Sequence, residues 1–144
     1  MTSGEKIMVC VSHVANGEQL IHRGGELSKL LQCPLYVLSV SYGENNQAKS
    51  NNDLIWKSKS DEWGATLLVQ SNENKKTCEI IAETAKRYNI TQLIIGQSPQ
   101  TRWQEIMNGS IVNELLYRLN EVDIHIVSLH RSYQLEQKGN RQAL

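Results

Sequence analysis

Two neighbouring stretches, Leu93–Gly96 (LIIG) and Asn108–Val112 (NGSIV), decide the fold predicted for this chain. A short apolar run that ends in glycine is typical of a buried parallel strand. The second stretch begins an amphipathic helix after a polar loop. A strand, a loop and a helix start in this order can direct free backbone N–H groups at an anion. A nucleotide phosphate is therefore the first ligand to consider.

Length and charge limit the classes of protein to which the chain can belong. The chain has 144 residues, of which 15 are basic, 15 are acidic and 40% are apolar. One domain with its own core is expected at this length. A neutral chain has no broad field for nucleic acid or an anionic membrane, so neither is expected as a partner. Without a membrane-length apolar run or a signal-peptide pattern, a cytoplasmic protein is predicted.

The cysteines and histidines do not have the spacing of a metal site. Cys10, Cys33 and Cys78 are scattered among apolar residues, without a C-x-x-C pair. We interpret them as reduced core thiols rather than reactive or metal-binding ones. No metal and no tightly bound cofactor are expected.

Short apolar runs alternate with amphipathic segments along most of the chain. The predicted strands are residues 6–11, 34–41, 65–70, 92–95 and 123–128, and the predicted helices are 17–31, 52–62, 74–88 and 110–119. Residues 42–50 read as a polar loop. The alternation indicates an α/β domain over residues 1–129, with an open, mainly parallel five-stranded sheet and helices on both faces. Residues 130–144 are predicted to be a polar tail or linker.

Each helix is expected to turn its apolar residues toward the sheet. The predicted inward residues are Leu20, Ile21, Leu27, Leu30 and Leu31; Leu54, Ile55 and Trp63; Cys78, Ile81, Ala82, Ala85 and Tyr88; and Ile111, Val112, Leu115, Leu116 and Leu119. Gly24 and Gly25 lie inside the first helix, where each costs up to about 1 kcal/mol relative to alanine. Close packing of that helix on the sheet explains the pair.

Right-handed crossovers favour the strand order 3-2-1-4-5. This order places a switch point between the first and fourth strands, where ligands of such sheets bind outside the carboxyl ends. The first strand is followed by Ser12 and His13, and the fourth ends at Gly96. These segments are therefore expected to meet at one crevice.

Several residues near this crevice suit a phosphate or a base. Gly96 and Gly109 permit close approach of a phosphate, and Ser110 can cap the helix or bind a phosphate oxygen. The planar fork of Arg102 suits bidentate contact with phosphate, and Trp103 can stack on a base. The simpler alternatives are a strand end, a helix cap, a solvated charge and an aromatic anchor of the loop.

The motif Gly96-x-x-Pro99, nine residues and then Gly109-Ser110 resembles the nucleotide loop of universal stress proteins, Gly-x-x-Gly-x9-Gly-Ser/Thr. A still closer resemblance is to the universal-stress-protein-like domain of the KdpD potassium sensor kinases. It covers roughly residues 5–128, and its matching segments are 6–12, 94–98, 102–105, 109–116 and 122–127.

The chain departs from the ATP-binding universal stress proteins at two positions. Ser12 and His13 stand where an aspartate usually ends the first strand, and Pro99 replaces the second glycine and removes an N–H donor. Both departures resemble the KdpD branch, some members of which bind cyclic di-AMP. Their Ser-x-Ser signature matches Ser39-Val40-Ser41, whose hydroxyls share one face of a strand. Its second half, Phe-Thr-Ala-x-Tyr, is not matched by residues 62–66, and strand-end capping is the alternative role for the two serines.

The resemblance implies a regulatory, non-catalytic domain that binds cyclic di-AMP or ATP and takes part in potassium-homeostasis signalling. Its partners would be an adenine nucleotide and other domains of a sensor kinase. The candidate nucleotide-binding residues are Ser12, His13, Ser39, Ser41, Gly96, Gln97, Ser98, Arg102, Trp103, Gly109 and Ser110.

Two alternatives remain open at this point. One is a protein-interaction or dimerisation module without a ligand, which would pair with a second copy through the edge of the fifth strand. The other is a small nucleotide hydrolase that uses Ser12 and His13, although no nucleophile elbow and no Gly-x4-Gly-Lys-Ser/Thr loop is present.

Overall fold

The computed structural model describes residues 4–11, 17–41, 46–71, 74–96 and 111–128. Within these ranges the elements are β1 (Ile7–Cys10), α1 (Gly17–Leu31), β2 (Leu35–Ser41), α2 (Asn46–Glu62), β3 (Thr66–Ser71), α3 (Thr77–Arg87), β4 (Gln92–Gly96), α4 (Ile111–Arg118) and β5 (Asp123–Val127). The predicted domain boundary at residue 129 and the predicted tail lie outside the described residues.

The strands form one sheet in the order β3-β2-β1-β4-β5, and every pairing between neighbours is parallel. The central strand β1 is apolar throughout, and Ile7, Met8 and Val9 are fully buried. A strand covered on both faces has no polar side to show, which explains its continuous apolar run. The predicted sheet and strand order are confirmed.

The helices divide between the two faces of the sheet. Val9 packs in one core cluster with Leu20 and Ile21 of α1, and Met8 packs in a second cluster with Ile81 of α3 and Leu115 of α4. From β1 through β2 to β3, the chain crosses the sheet toward one side edge. From β3 through β4 to β5, it crosses toward the other side edge. Right-handed crossovers therefore place α1 and α2 on one face and α3 and α4 on the opposite one.

Gly24 lets α1 lie directly against the sheet. A Cβ atom at this position would overlap Cγ2 of Val9 and would lie 3.1 Å from Cδ1 of Leu35. Because Val9 is fully buried and β-branched, it has little freedom to move aside. The close packing predicted for Gly24 is confirmed.

Gly25 has a different neighbour from the one predicted. A Cβ atom there would overlap the indole ring of Trp63, which follows α2, rather than any strand. The same contact occurs two turns earlier, where the ring of Trp56 lies against Gly17. Eight residues separate the glycines and seven separate the tryptophans, which is about two helical turns in both cases. Two tryptophans of the α2 region thus dock on two glycines of α1.

This docking corrects the prediction for α2. The helix begins at Asn46 instead of residue 52, because the polar residues before it can form helix without contributing to an apolar face. Leu54 and Ile55 were expected to face inward, yet 67% of Leu54 and 45% of Ile55 are exposed. Leu54 lies about 200° around the helix from Trp56. With Trp56 docked on α1, Leu54 faces solvent and Ser60 is buried.

Three further apolar residues expected inside are exposed: Leu30, Ile111 and Leu116. In α4, Leu115 and the following Leu119 are buried. These two leucines belong to the core cluster that contains Leu93 and Ile95 of β4, whereas the other side of the helix is exposed at Ile111 and Leu116. Apolar periodicity therefore overestimated the width of the buried face.

Hydrogen bonds tie the amino ends of β1, β4 and β5 together. The backbone N–H of Lys6 donates to Oγ1 of Thr91 at 3.0 Å, and the Thr91 hydroxyl donates to the Glu5 carboxylate. The Gln92 amide donates to the same carboxylate at 3.3 Å, and its oxygen lies 2.6 Å from Nε2 of His125. This polar cluster occupies the edge of the sheet opposite to the predicted crevice.

Gly24→Ala is expected to destabilise the fold by about 1–3 kcal/mol, because the added methyl group overpacks against Val9. In an open helix the same change would stabilise by up to about 1 kcal/mol. Urea unfolding gives the sign directly. Arg23→Ala, at the exposed neighbouring position, is the matched control and should change stability by less than about 0.5 kcal/mol. A gain in stability for Gly24→Ala would contradict the close contact.

Candidate functional site

The switch point between β1 and β4 is the best-defined feature of the carboxyl edge. The two strands are direct neighbours, with Ile7 opposite Gln92 and Val9 opposite Ile94. The chain leaves β1 toward β2 and leaves β4 toward β5, on opposite faces of the sheet. Such divergence opens a crevice outside the strand ends, where ligands of α/β sheets bind.

The strand registers align three residues across this edge. Val11 continues β1 by donating its N–H to the carbonyl of Leu38 at 3.0 Å, which places it opposite Ser39. On its other side the β1–β4 pairing ends with Val9 opposite Ile94, and Gly96 lies two residues beyond Ile94, as Val11 lies two residues beyond Val9. Ser39, Val11 and Gly96 therefore form one row on neighbouring strands, which we call the edge row. At about 4.8 Å per strand, Ser39 and Gly96 lie roughly 10 Å apart.

The edge row continues to both sides of the sheet, since Ser39 pairs with Val69 and Gly96 pairs with Val127. Ser39 is only 6% exposed, so its hydroxyl offers little surface to a ligand. Ser41 is the last residue of that strand and pairs with Ser71. Two predicted site residues, Ser39 and Gly96, are thus brought to the same level of the sheet.

The other predicted site residues lie outside the described part of the chain, and their roles stay predictions. They are Ser12, His13, Gln97, Ser98, Arg102, Trp103, Gly109 and Ser110.

Charged side chains join α4, the helix that follows the predicted phosphate loop, to α3. Nη2 of Arg118 lies 3.2 Å from Glu114 and 3.7 Å from Glu79 of α3. A hydrogen bond from Cys78 and one from Arg118 hold the pKa of Glu114 below its usual value. Sequence reasoning missed this cluster, although Glu114 and Arg118 have the i, i+4 spacing of a helical ion pair.

The three cysteines are free thiols. Burial raises the pKa of Cys10 to about 12, and burial is also the main cause that raises the pKa of Cys33 and Cys78. Thiolate chemistry at neutral pH is therefore disfavoured at all three positions. Within the described ranges, no group of three metal-ligating side chains could hold an ion, and no helix has the length and apolarity to span a membrane.

Solved structures identify the fold. A universal stress protein in complex with cAMP matches with a TM-score of 0.67 at 12% identity, over 88% of this chain and 98% of that one. A universal stress protein from Archaeoglobus fulgidus in complex with dAMP matches with a TM-score of 0.56 at 17% identity, with the same coverage. The protein therefore has the universal stress protein fold. No protein-family model matches the chain.

Sequence comparison narrows the relationship further. A KdpD sensor protein of Synechocystis sp. is 32% identical over 128 residues, which are 86% of this chain and 34% of that protein. The chain thus spans about a third of the length of this relative. The predicted resemblance to the universal-stress-protein-like domain of KdpD sensor proteins is confirmed.

The thiols provide a test of the packing around the site. In the native protein, Ellman's reagent is expected to label Cys33 first, because Cys33 is half-buried whereas Cys10 and Cys78 are buried. The other two thiols should react only after unfolding in guanidinium chloride. Cys33→Ser is the control and should remove the fast phase. Prompt labelling of Cys10 in the native protein would contradict the burial of β1.

Proposed function

We propose that this chain is a regulatory, non-catalytic domain that binds an adenine nucleotide at the carboxyl edge between β1 and β4. The observation that carries the proposal is the edge row, in which Val11 and Gly96 lie on the two sides of the switch point and Ser39 lies at the same level on the neighbouring strand β2. The fold itself adds support, since two universal stress proteins with this architecture were solved with cAMP and dAMP.

In this proposal the phosphates and the base occupy different parts of the crevice. The phosphates lie near the segment 96–98, Arg102 and the Gly109–Ser110 start of the last helix. Glycines permit close approach of a phosphate, and an arginine fork supplies bidentate contacts. The base lies near Ser12, His13 and the end of β2, with Trp103 available for stacking.

The proposed ligand is cyclic di-AMP or ATP. The KdpD resemblance, Pro99 and the missing aspartate after the first strand favour the cyclic dinucleotide, and the general fold is equally compatible with ATP. A ligand regulates only if it binds two states of the protein with different affinity. We propose that the two states differ in contacts with other domains of a cytoplasmic sensor kinase, in response to potassium supply.

One observation favours a second candidate function, a protein-interaction module. β5 is an edge strand, and Ile126 on it is exposed, as are Leu116 and Tyr117 of α4. An edge strand with apolar neighbours can pair with another strand. The partner would be a second copy of the chain or another domain of the sensor.

Calorimetric titration with cyclic di-AMP and with ATP, each alone, tests the nucleotide proposal. We expect saturable binding of at least one nucleotide. Arg102→Ala and Gly109→Asp should each weaken it about tenfold or more, since each removes a phosphate contact or introduces a like charge. Arg87→Ala is the matched control, because it removes an exposed arginine at the last residue of α3. This end of the helix leads into β4 at the amino edge of the sheet, away from the proposed site.

Two results would contradict this proposal in different ways. If neither nucleotide binds at millimolar concentration, the interaction module becomes the better account. If binding occurs but Arg102→Ala and Gly109→Asp leave affinity unchanged, the ligand binds at another place.

A further inference from the structure

Trp56 touches the residue at which α1 begins. A Cβ atom at Gly17 would lie 2.9 Å from Cζ3 and 3.1 Å from Cζ2 of the Trp56 ring, so the ring rests on the glycine backbone. Gly17 is buried, and Trp56 packs against the core cluster under α1. Because Gly17 has no side chain, the ring contacts the backbone at the first residue of the helix directly.

Gly17 is also one end of the connection that leads away from β1. The other end, Val11, is held in the sheet by its hydrogen bond to Leu38 and belongs to the edge row. Residues 12–16 join these two points, and they include two of the predicted site residues. The sheet thus positions one end of the connection, and Trp56 positions the other.

Trp63 makes the same kind of contact far from this edge. Its ring lies against Gly25, about 12 Å further along α1 than Gly17 at 1.5 Å per residue. Trp63 is followed by the turn into β3, whose first residue lies at the level of Met8 near the beginning of β1. The described part of the chain therefore contains two matched tryptophan–glycine contacts, of which the one between Trp56 and Gly17 adjoins the carboxyl edge.

We infer that Trp56 is a positioning residue for nucleotide binding, acting through Gly17 on the connection between β1 and α1. The inference rests on the proposed function, and it adds a residue of α2 that does not itself reach the ligand. Trp63 stabilises the same pair of helices without affecting the site.

Two pairs of variants separate positioning from stability: Trp56→Ala with Trp63→Ala, and Trp56→Phe with Trp63→Phe. Affinity for cyclic di-AMP and ATP is measured by calorimetry at a temperature where urea unfolding shows each variant to be folded. Hydrogen exchange of peptides that contain Gly17 is measured without ligand. If an alanine variant does not fold, nucleotide affinity and exchange around Gly17 are compared between Trp56→Phe and Trp63→Phe instead.

Both alanine variants are expected to lose stability. Only Trp56→Ala should weaken nucleotide binding, by about tenfold or more, because a supporting contact must hold a site to within about 0.5 Å. Only Trp56→Ala should speed exchange around Gly17, and Trp56→Phe should recover part of both losses.

Equal affinities in the Trp56 and Trp63 variants would overturn this inference while leaving the proposed function intact. Equal exchange rates around Gly17 in the two variants would also overturn it. Failure of the wild-type chain to bind either nucleotide would overturn the proposed function, and the inference with it.

Discussion

The close approach of α1 to its neighbours is the constraint on which the rest of the structure depends. Gly24 brings the helix against Val9 in the middle of the sheet, while Gly17 and Gly25 receive the indole rings of Trp56 and Trp63. Glycine is unfavourable inside a helix, so Gly24 and Gly25 reduce local helix stability while they permit tight packing. One helix thereby positions the central strand and the neighbouring helix together.

The carboxyl edge of the sheet differs in character from the amino edge. At the amino edge, the Glu5 carboxylate and the Thr91 hydroxyl join the beginnings of three strands in a polar cluster. At the carboxyl edge, β1 and β4 diverge, and Ser39, Val11 and Gly96 lie in one row. The polar cluster thus lies at the edge of the sheet opposite to the one where ligands of such sheets bind.

The sheet could be predicted from the sequence because buried parallel strands are continuous apolar runs and right-handed crossovers restrict their order. The rotation of α2 about its own axis could not be predicted from the sequence. It is set by the contacts of Trp56 and Trp63 with glycines of α1, a helix that is distant in sequence. Leu54 is exposed for this reason. In the candidate site, the apolar run that ends in glycine predicted the strand end at Gly96. The level of Gly96 relative to Ser39 could be derived only from the β1–β2 and β1–β4 registers.

The most direct test of a nucleotide site at the carboxyl edge is an amide NMR titration of the wild-type chain with cyclic di-AMP and with ATP. With a nucleotide bound at the switch point, the shifted amides should concentrate at the carboxyl edge, around Val11, Gly17, Gly96 and Val127. The chemical shifts of the Lys6, Thr91 and Asp123 amides at the amino edge should not change. Shifts confined to the amino edge, or no shifts with either nucleotide, would contradict a nucleotide site at the switch point between β1 and β4.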